Sequence, residues 1–203
     1  LERKEAGPVL KPLDILLVGV GGQGTILASR ILAHVAQSAG YDIKVSEIHG
    51  MAQRGGSVVT QVRMGEKVYS SMIEEGRADA ILAFEKLEAL RWVSYLKPGG
   101  TIIVNDQAIY PVPVLAGLAQ YPDDIAGYLK SKIKDTVVVD ALGKAKECGN
   151  IRAANVVLVG VLARRLPFDA GKWQEALEAR VPAKFLELNR AAFKVGYELG
   201  VRD

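Results

Sequence analysis

The chain contains 203 residues, 49% of them hydrophobic and 24% charged, and 26 lysines and arginines against 23 acidic residues give a net charge of +3. This length suits one domain with a full-sized hydrophobic core, and the composition excludes an intrinsically disordered chain. The nearly balanced charge disfavours nucleic-acid binding, because nucleic-acid-binding domains usually carry a strong basic excess. The longest nearly apolar segment, residues 153–163, is too short to span a membrane.

The cysteine content limits which metal sites and disulfide bonds the chain can form. Cys148 is the single cysteine. One thiol cannot hold an iron–sulfur cluster or a zinc ribbon, and it cannot form an internal disulfide bond. The first residues lack the apolar run of a signal peptide. Together these features predict a cytoplasmic protein.

Strand-like and helix-like segments alternate along the chain. β-branched or leucine-rich runs predict strands, and apolar residues at helical spacing predict helices. In chain order we expect a strand at 14–20, a helix at 25–39 that ends at Gly40, strands at 41–47, 57–63, 67–70 and 78–84, a helix at 86–96, strands at 101–105 and 136–140, and helices at 152–166, 169–180 and 183–199. This order is typical of an α/β fold with an open, Rossmann-like, mainly parallel sheet, helices on both faces and a helical C-terminal region.

Two finer expectations concern the organisation of these elements. Residues 57–63 and 67–70 flank Met64-Gly65-Glu66, which predicts a β-hairpin. Because no linker or repeat interrupts the pattern, we expect a single α/β domain over residues 1–203. Its core would cover residues 13–163, and its C-terminal helices residues 164–203.

A glycine-rich turn joins the first predicted strand to the first predicted helix. Residues 19–24, Gly-Val-Gly-Gly-Gln-Gly, match the pattern G-x-G-x-x-G. Glycine allows a tight turn and a close approach to a ligand, and the N–H groups and dipole of the following helix favour an anion such as a phosphate. The turn therefore predicts binding of an anionic or nucleotide-like ligand. The alternative is a tight strand-to-helix crossover that binds nothing.

Glu47 leaves a second interpretation open. Dinucleotide-binding domains place an acidic residue at the end of the second strand, where it binds a ribose hydroxyl, and Glu47 has roughly this position. The corresponding hypothesis is a stand-alone NAD-dependent Rossmann oxidoreductase, although no Ser-Tyr-Lys or histidine-based catalytic set is recognisable. A non-enzymatic nucleotide-binding module is a third hypothesis.

The most unusual segment of the chain follows the second predicted strand. It contains the run His49-Gly50-Met51-Ala52-Gln53-Arg54-Gly55-Gly56. Open α/β sheets bind ligands beyond the carboxyl ends of their strands. An arginine followed by two glycines can present a guanidinium and bare backbone N–H groups to a carboxylate or phosphate. Arg54 is therefore the first candidate for a functional residue, and the alternative is a salt bridge that fixes the loop.

These motifs resemble a known family. Gly21-Gly22-Gln23-Gly24 and residues 46–57, continued by residues 83–90 and 150–155, are similar to the beta, or small, subunits of indolepyruvate ferredoxin oxidoreductases. Those subunits belong to the wider gamma-domain family of 2-oxoacid:ferredoxin oxidoreductases. The resemblance covers roughly residues 13–163. The glycine turn occurs in many families, whereas the run from His49 to Gly56 is much more specific.

The resemblance implies a division of labour between two subunits. A large alpha subunit would hold thiamine diphosphate, magnesium and 4Fe–4S clusters. The complex would oxidatively decarboxylate an aryl pyruvate, form an acyl-CoA from coenzyme A and reduce ferredoxin. The small subunit would hold no cofactor by itself and be inactive alone, and it would bind neither nucleic acid nor membranes.

The resemblance also implies a set of site residues in this chain. They would contact coenzyme A or the subunit interface, and none would be catalytic or bind a metal. The set comprises Gly21, Gly22, Gln23, Gly24, Gln53, Arg54, Gly55 and Gly56.

Two features of the C-terminal third complete the expectations. Asn155 lies in an otherwise apolar helix and predicts a buried hydrogen bond. Apolar stripes at helical spacing, which include Trp173, Leu177, Phe185 and Ala192, predict core positions. Any stripe beyond the needs of the core would face the large subunit.

Overall fold

Six strands form one mixed sheet in the computed structural model, which describes residues 10–50 and 55–201. The strands are β1 (Leu13–Val20), β2 (Asp42–His49), β3 (Ser57–Gly65), β4 (Ala78–Ala83), β5 (Leu96–Asn105) and β6 (Asp135–Val139), and their order across the sheet is β2-β3-β1-β4-β5-β6. β1, β4, β5 and β6 are parallel to their neighbours in this series. β3 is antiparallel to both β1 and β2. The prediction of a mainly parallel sheet is confirmed.

Helices cover both faces of the sheet, as predicted. They are α1 (Thr25–Ser38), α2 (Lys86–Trp92), α3 (Val112–Leu115), α4 (Ile125–Lys132), α5 (Ala141–Glu147), α6 (Ala154–Arg165), α7 (Ala170–Arg180) and α8 (Leu186–Leu199). One hydrophobic cluster joins the sheet to α1, α5, α6, α7 and α8, and a second joins it to α2 and α4. Within the described residues, no helix is both long and apolar enough to cross a membrane.

Strand β1 shows why the sheet needs helices on both faces. Ile15 and Leu17 belong to the first hydrophobic cluster, whereas Leu16 and Val18 belong to the second. All four side chains are fully buried. Successive residues of a strand point to opposite faces, so a continuous apolar run can be buried only when both faces are covered.

Gly40 ends α1 as predicted. Its φ is +86°, which is the left-handed region where glycine avoids the strain of a Cβ. The Gly40 N–H donates to the Gln37 carbonyl, and the Tyr41 N–H donates to the Ala36 carbonyl, each at 3.0 Å. These two bonds form a Schellman motif that satisfies the last carbonyls of the helix.

The predicted hairpin within residues 57–70 is wrong. β3 continues through Met64 to Gly65, and residues 67–70 form no strand. β3 pairs with β2 on one side and with β1 on the other, so neither of its edges is free for residues 67–70. The antiparallel partner that is adjacent to β3 in the chain is therefore β2, which precedes it.

The apolar stripes of the last two helices lie mainly in the core. Trp173, Leu177 and Ala192 are fully buried, whereas Phe185 at the start of α8 is 41% exposed. α8 packs closely against α6 through two glycines: a Cβ on Gly196 would lie 1.9 Å from the Val157 carbonyl oxygen, and one on Gly160 2.2 Å from the Phe193 carbonyl oxygen. The two helix backbones can approach this closely only because neither residue has a side chain.

We expect Gly196→Ala to destabilise the protein. Alanine in a helix normally gains about 0.5–1 kcal/mol over glycine, but here its methyl group meets backbone atoms, and overpacking of this kind costs about 1–3 kcal/mol. With the gain subtracted, a net loss of about 1 kcal/mol remains, so the thermal unfolding midpoint should fall by roughly 2–4 °C. Lys194→Ala, on the exposed side of the same helix, is the matched control and should stay within about 0.5 kcal/mol of the parent. An unchanged or higher midpoint for Gly196→Ala would contradict this packing.

Candidate functional site

The glycine-rich turn lies at the carboxyl end of β1. Gly22 and Gly24 have φ values of +101° and +84°, which disfavour residues with a side chain. A Cβ on Gly22 would meet no described residue within 4 Å, so the described part of the chain leaves this backbone open. Gly24 is the N-cap of α1 and has no side chain that could cap this helix end. The positive end of the helix dipole is therefore available to an anion.

The second glycine segment lies directly against this turn. The Gly21 N–H donates to the Gly56 carbonyl at 2.9 Å. Gly55 has a φ of +77°, and a Cβ there would meet none of the described residues within 4 Å. The fold therefore brings Gly21 and Gly56 of the two predicted segments into contact, although they lie 35 positions apart in the chain. Gln53 and Arg54 lie outside the described residues.

The Gln23 side chain points into the protein and holds the turn in place. Its Oε1 accepts from the Val20 N–H at 2.7 Å, and its Nε2 donates to the Phe84 carbonyl at 2.8 Å and to Gln107 Oε1 at 3.0 Å. These bonds join the ends of β1 and β4 to the segment after β5. Gln23 therefore stabilises the conformation of the turn.

Asn155 on α6 also supports the turn. Its Nδ2 donates to the Gly24 carbonyl at 3.3 Å, which is the buried hydrogen bond that the sequence predicts. A Cβ on Gly24 would lie 2.4 Å from this Nδ2 atom, so close packing as well as the positive φ requires glycine here. Asn155 Oδ1 is buried and has no hydrogen-bond partner in the part of the chain that the structure describes.

Glu85 is the residue of this region to which sequence reasoning assigned no role. It is 1% exposed, and its carboxylate accepts hydrogen bonds from the Glu88 N–H at 2.9 Å, the Ile109 N–H at 3.1 Å and the Tyr121 hydroxyl at 2.5 Å. It thus caps α2 and anchors the segment after β5 to the carboxyl edge of the sheet. An acidic residue between a buried strand and a helix is the signal that could have identified the cap.

Burial in this region shifts the pKa values of two neighbouring groups, Tyr121 and Glu88. Burial raises the pKa of Tyr121, and the hydrogen bond and negative charge of Glu85 raise it further, so the hydroxyl remains a donor. Burial also raises the pKa of Glu88, against the lowering effects of the Ser57 hydrogen bond and the Arg91 charge. Glu88 Oε2 accepts from Ser57 Oγ at 2.5 Å, and Ser57 directly follows Gly56. Glu88 therefore connects the second glycine segment to α2.

The remaining candidates have different surroundings. Glu47 is exposed, and its Oε1 lies 3.3 Å from Ser29 Oγ on α1. His49 is exposed at the carboxyl end of β2. Cys148 ends α5 and packs partly buried against the core. Among the described residues, no group of three or more histidine, cysteine or acidic side chains is placed to hold a metal ion.

Exposed apolar side chains follow the anchored segment. Val112 is 76% exposed, Leu115 71% and Leu118 82%. They lie in and just after α3, between β5 and α4. Large apolar side chains grouped on a surface commonly mark a protein interface. The C-terminal region, where the sequence allows for apolar surface beyond the needs of the core, exposes Phe185 and Leu199 to a smaller extent, 41% and 40%.

We expect Glu88→Gln to make the stability of the chain less dependent on pH. Because burial raises the folded-state pKa of Glu88, the stability that its protonated form provides is lost as the pH rises through that pKa. Glutamine keeps an acceptor for Ser57 without the charge. The variant should unfold at a higher temperature than the parent at about pH 8 and lose this advantage at about pH 4. Thermal unfolding at both pH values measures the difference, and an advantage of equal size at both would contradict the prediction.

Comparison with known proteins places the whole fold in one family. A family model described as pyruvate ferredoxin/flavodoxin oxidoreductase matches residues 14–199. The indolepyruvate oxidoreductase subunit IorB of Thermococcus kodakarensis is 42% identical over 192 residues, which cover 92% of this chain and 95% of that protein. The IorB subunit of Archaeoglobus fulgidus is 40% identical over 193 residues, which cover 93% and 96%.

A solved structure supports the same assignment. The gamma subunit of a keto/oxoacid ferredoxin oxidoreductase from Geobacter sulfurreducens superimposes with a TM-score of 0.69 at 26% identity, and the match covers 93% of this chain and 98% of that subunit. Both the sequence and the fold thus match over nearly the whole chain. The chain belongs to the pyruvate ferredoxin/flavodoxin oxidoreductase family.

Proposed function

We propose that this chain is the small subunit of an indolepyruvate, or aryl pyruvate, ferredoxin oxidoreductase. The observation that carries the proposal is the 42% identity to an indolepyruvate oxidoreductase subunit over 92% of the chain. The gamma subunit common to the pyruvate and ketoisovalerate oxidoreductases of Pyrococcus furiosus is 24% identical over a similar span. This difference favours the indolepyruvate branch of the family.

The proposed complex divides the chemistry between its subunits. A large alpha subunit supplies thiamine diphosphate, magnesium and 4Fe–4S clusters, coenzyme A is the co-substrate, and ferredoxin accepts the electrons. A cluster requires several thiolates, and Cys148 is the single cysteine of this chain, partly buried at the end of α5. Its residues therefore do not fit a cluster site, and we infer that the chain is inactive alone and acts in the cytoplasm.

The glycine-rich surface is the proposed contribution of this chain to the active complex. It consists of the predicted residues Gly21, Gly22, Gln23, Gly24, Gln53, Arg54, Gly55 and Gly56, and it would bind coenzyme A or the adjoining part of the large subunit. The open backbone at Gly22 and Gly55 and the uncapped N-terminus of α1 support binding of an anionic group such as a phosphate. Gln23 would maintain the turn, and Arg54 would add positive charge.

The exposed apolar residues Val112, Leu115 and Leu118 are the proposed docking surface for the large subunit. They are at least 71% exposed. They follow Ile109, whose N–H is bonded to the buried Glu85 carboxylate, so the docking surface starts from a fixed point near the glycine turn. The arrangement would place the partner next to the glycine-rich surface.

The NAD-dependent hypothesis is disfavoured by the position of β2. In a dinucleotide-binding Rossmann domain the second strand lies directly beside the first. Here β3 lies between β1 and β2. Glu47 on β2 pairs with Thr60 on β3, and Thr60 pairs with Leu17, which lies three residues before the end of β1. The Glu47 carboxylate is therefore displaced by one strand from the position of a ribose ligand.

Co-expression under anaerobic conditions tests the complex. A candidate large subunit with cluster cysteines should co-purify with the tagged chain, and the pair should reduce viologen or ferredoxin when indolepyruvate and coenzyme A are present.

Leu118→Glu should weaken retention of the large subunit at least about tenfold, because it places a charge in an apolar interface. Tyr69→Glu is the control, since Tyr69 is 88% exposed and follows β3 at the opposite edge of the sheet. If the isolated chain instead binds and turns over NAD, the proposal is wrong.

Arg54→Ala tests the glycine-rich surface within the complex. Loss of a guanidinium that binds a charged group costs about 1.5–3 kcal/mol, so we expect kcat/KM for coenzyme A to fall roughly tenfold to a hundredfold. Arg77→Ala is the matched control, because Arg77 is exposed just before β4 at the other edge of the sheet. Steady-state kinetics with coenzyme A as the varied substrate measures both variants. Equal kinetics for Arg54→Ala and the parent would exclude Arg54 from the site.

A further inference from the structure

A basic groove lies at the amino edge of the sheet, opposite to the glycine-rich turn. It has a volume of about 1020 Å³ and runs along the first residues of β5 and β6. The last residues of α4, α6 and α8 border it as well. Among the described residues that line it, the cationic ones are Lys97, Lys130, Lys132, Lys134 and Arg165, and the acidic one is Asp135.

Most of this positive charge is not neutralised within the described protein. Lys97 forms an ion pair with Asp79, and Arg165 forms one with Asp135. Among the residues that the structure describes, Lys130, Lys132 and Lys134 form no ion pair. The three lysines therefore leave an excess of positive charge on the groove.

The helix dipoles oppose this charge but do not cancel it. Helices α4, α6 and α8 end at the groove, and each helix C-terminus carries about half a negative charge. Three such ends amount to roughly one and a half negative charges, whereas the three unpaired lysines carry three positive ones. The three lysines therefore carry more positive charge than the helix dipoles can neutralise.

Arg165 provides the most specific feature of the groove. Its side chain is 6% exposed, and its Nη1 lies 3.3 Å from Asp135 Oδ1. Nevertheless its Nε and Nη1 have no hydrogen-bond partner of suitable geometry among the residues that the structure describes. Asp135 is also engaged by Thr101 Oγ1, which donates to its Oδ2 at 2.7 Å. A buried guanidinium whose donors lack hydrogen-bond partners destabilises the protein. A ligand with several acceptor oxygens would remove this penalty by accepting those hydrogen bonds.

We propose that this groove binds a small, multiply charged oxyanion. Phosphate and carboxylate groups share the required chemistry, because both present several acceptor oxygens and negative charge to a guanidinium and to lysines. Arg165 anchors the ligand on the floor of the groove, and Lys132 and Lys134 pair with its outer oxygens. The site lies at the opposite edge of the sheet from the glycine-rich surface, so it does not depend on the proposed function of that surface.

Isothermal titration calorimetry of the full chain with inorganic pyrophosphate and, separately, with citrate tests the proposal. We expect one site with a dissociation constant on the order of 10–100 μM for at least one probe at low ionic strength. Binding of pyrophosphate alone identifies a phosphate ligand, and binding of citrate alone a polycarboxylate. The absence of binding of either probe up to about millimolar concentration overturns the proposal.

Variants assign the binding to the groove. The exposed pair Lys132→Gln/Lys134→Gln should weaken binding at least about tenfold without affecting folding. Arg165→Gln should weaken it as well, and the lysine pair decides the question if this buried variant fails to fold. Lys194→Gln, on the exposed face of α8 outside the groove, is the control and should bind like the parent. Equal binding by the lysine pair and the parent, or an equal loss in the control, overturns the proposal.

Discussion

The side-chain amide of Gln23 links the strand ends on which the candidate site is built. It receives a hydrogen bond from the end of β1 and donates to the end of β4 and to Gln107 after β5. Such a cross-link needs space beside β1. A Cβ on Gly19 would lie 2.9 Å from Gln23 Oε1 and 3.0 Å from Phe84 Cβ. The first glycine of the motif is therefore required by packing within the protein, independently of any ligand.

The other glycines of the turn have a different physical basis. Gly22 and Gly24 need a positive φ, and Gly24 additionally packs against Asn155 on α6. Gly21 bonds to Gly56 and so connects the turn to the start of β3. Buried Glu88 and Ser57 then connect the same point to α2. Hydrogen bonds that involve Gly56, Asn155 and the Gln23 side chain thus fix the turn that contains Gly22, which is the preorganisation that a binding surface requires.

The two edges of the sheet differ in electrostatic character. At the carboxyl edge, α1 presents an uncapped N-terminus to the glycine-rich surface. At the amino edge, helix C-termini meet a groove lined by lysines and by the buried Arg165. In the first case backbone N–H groups supply the positive potential, and in the second case side chains supply it against the helix dipoles. The parallel arrangement of β1, β4, β5 and β6 separates these two surfaces, because it places all of their carboxyl ends on one edge.

The sequence by itself determined the α/β class, the mainly parallel sheet, the end of α1 at Gly40 and the two glycine segments, because each depends on local periodicity or on the conformational freedom of glycine. It also indicated the family, through the run from His49 to Gly56. The partner of β3 was decided only by the tertiary structure: residues 67–70 have the composition of a strand, but both edges of β3 are already paired with β1 and β2. The same holds for the roles of Gln23, Glu85 and Arg165. Their chemistry depends on burial and on partners up to 84 positions away in the chain, and a local pattern carries no information about such distant contacts.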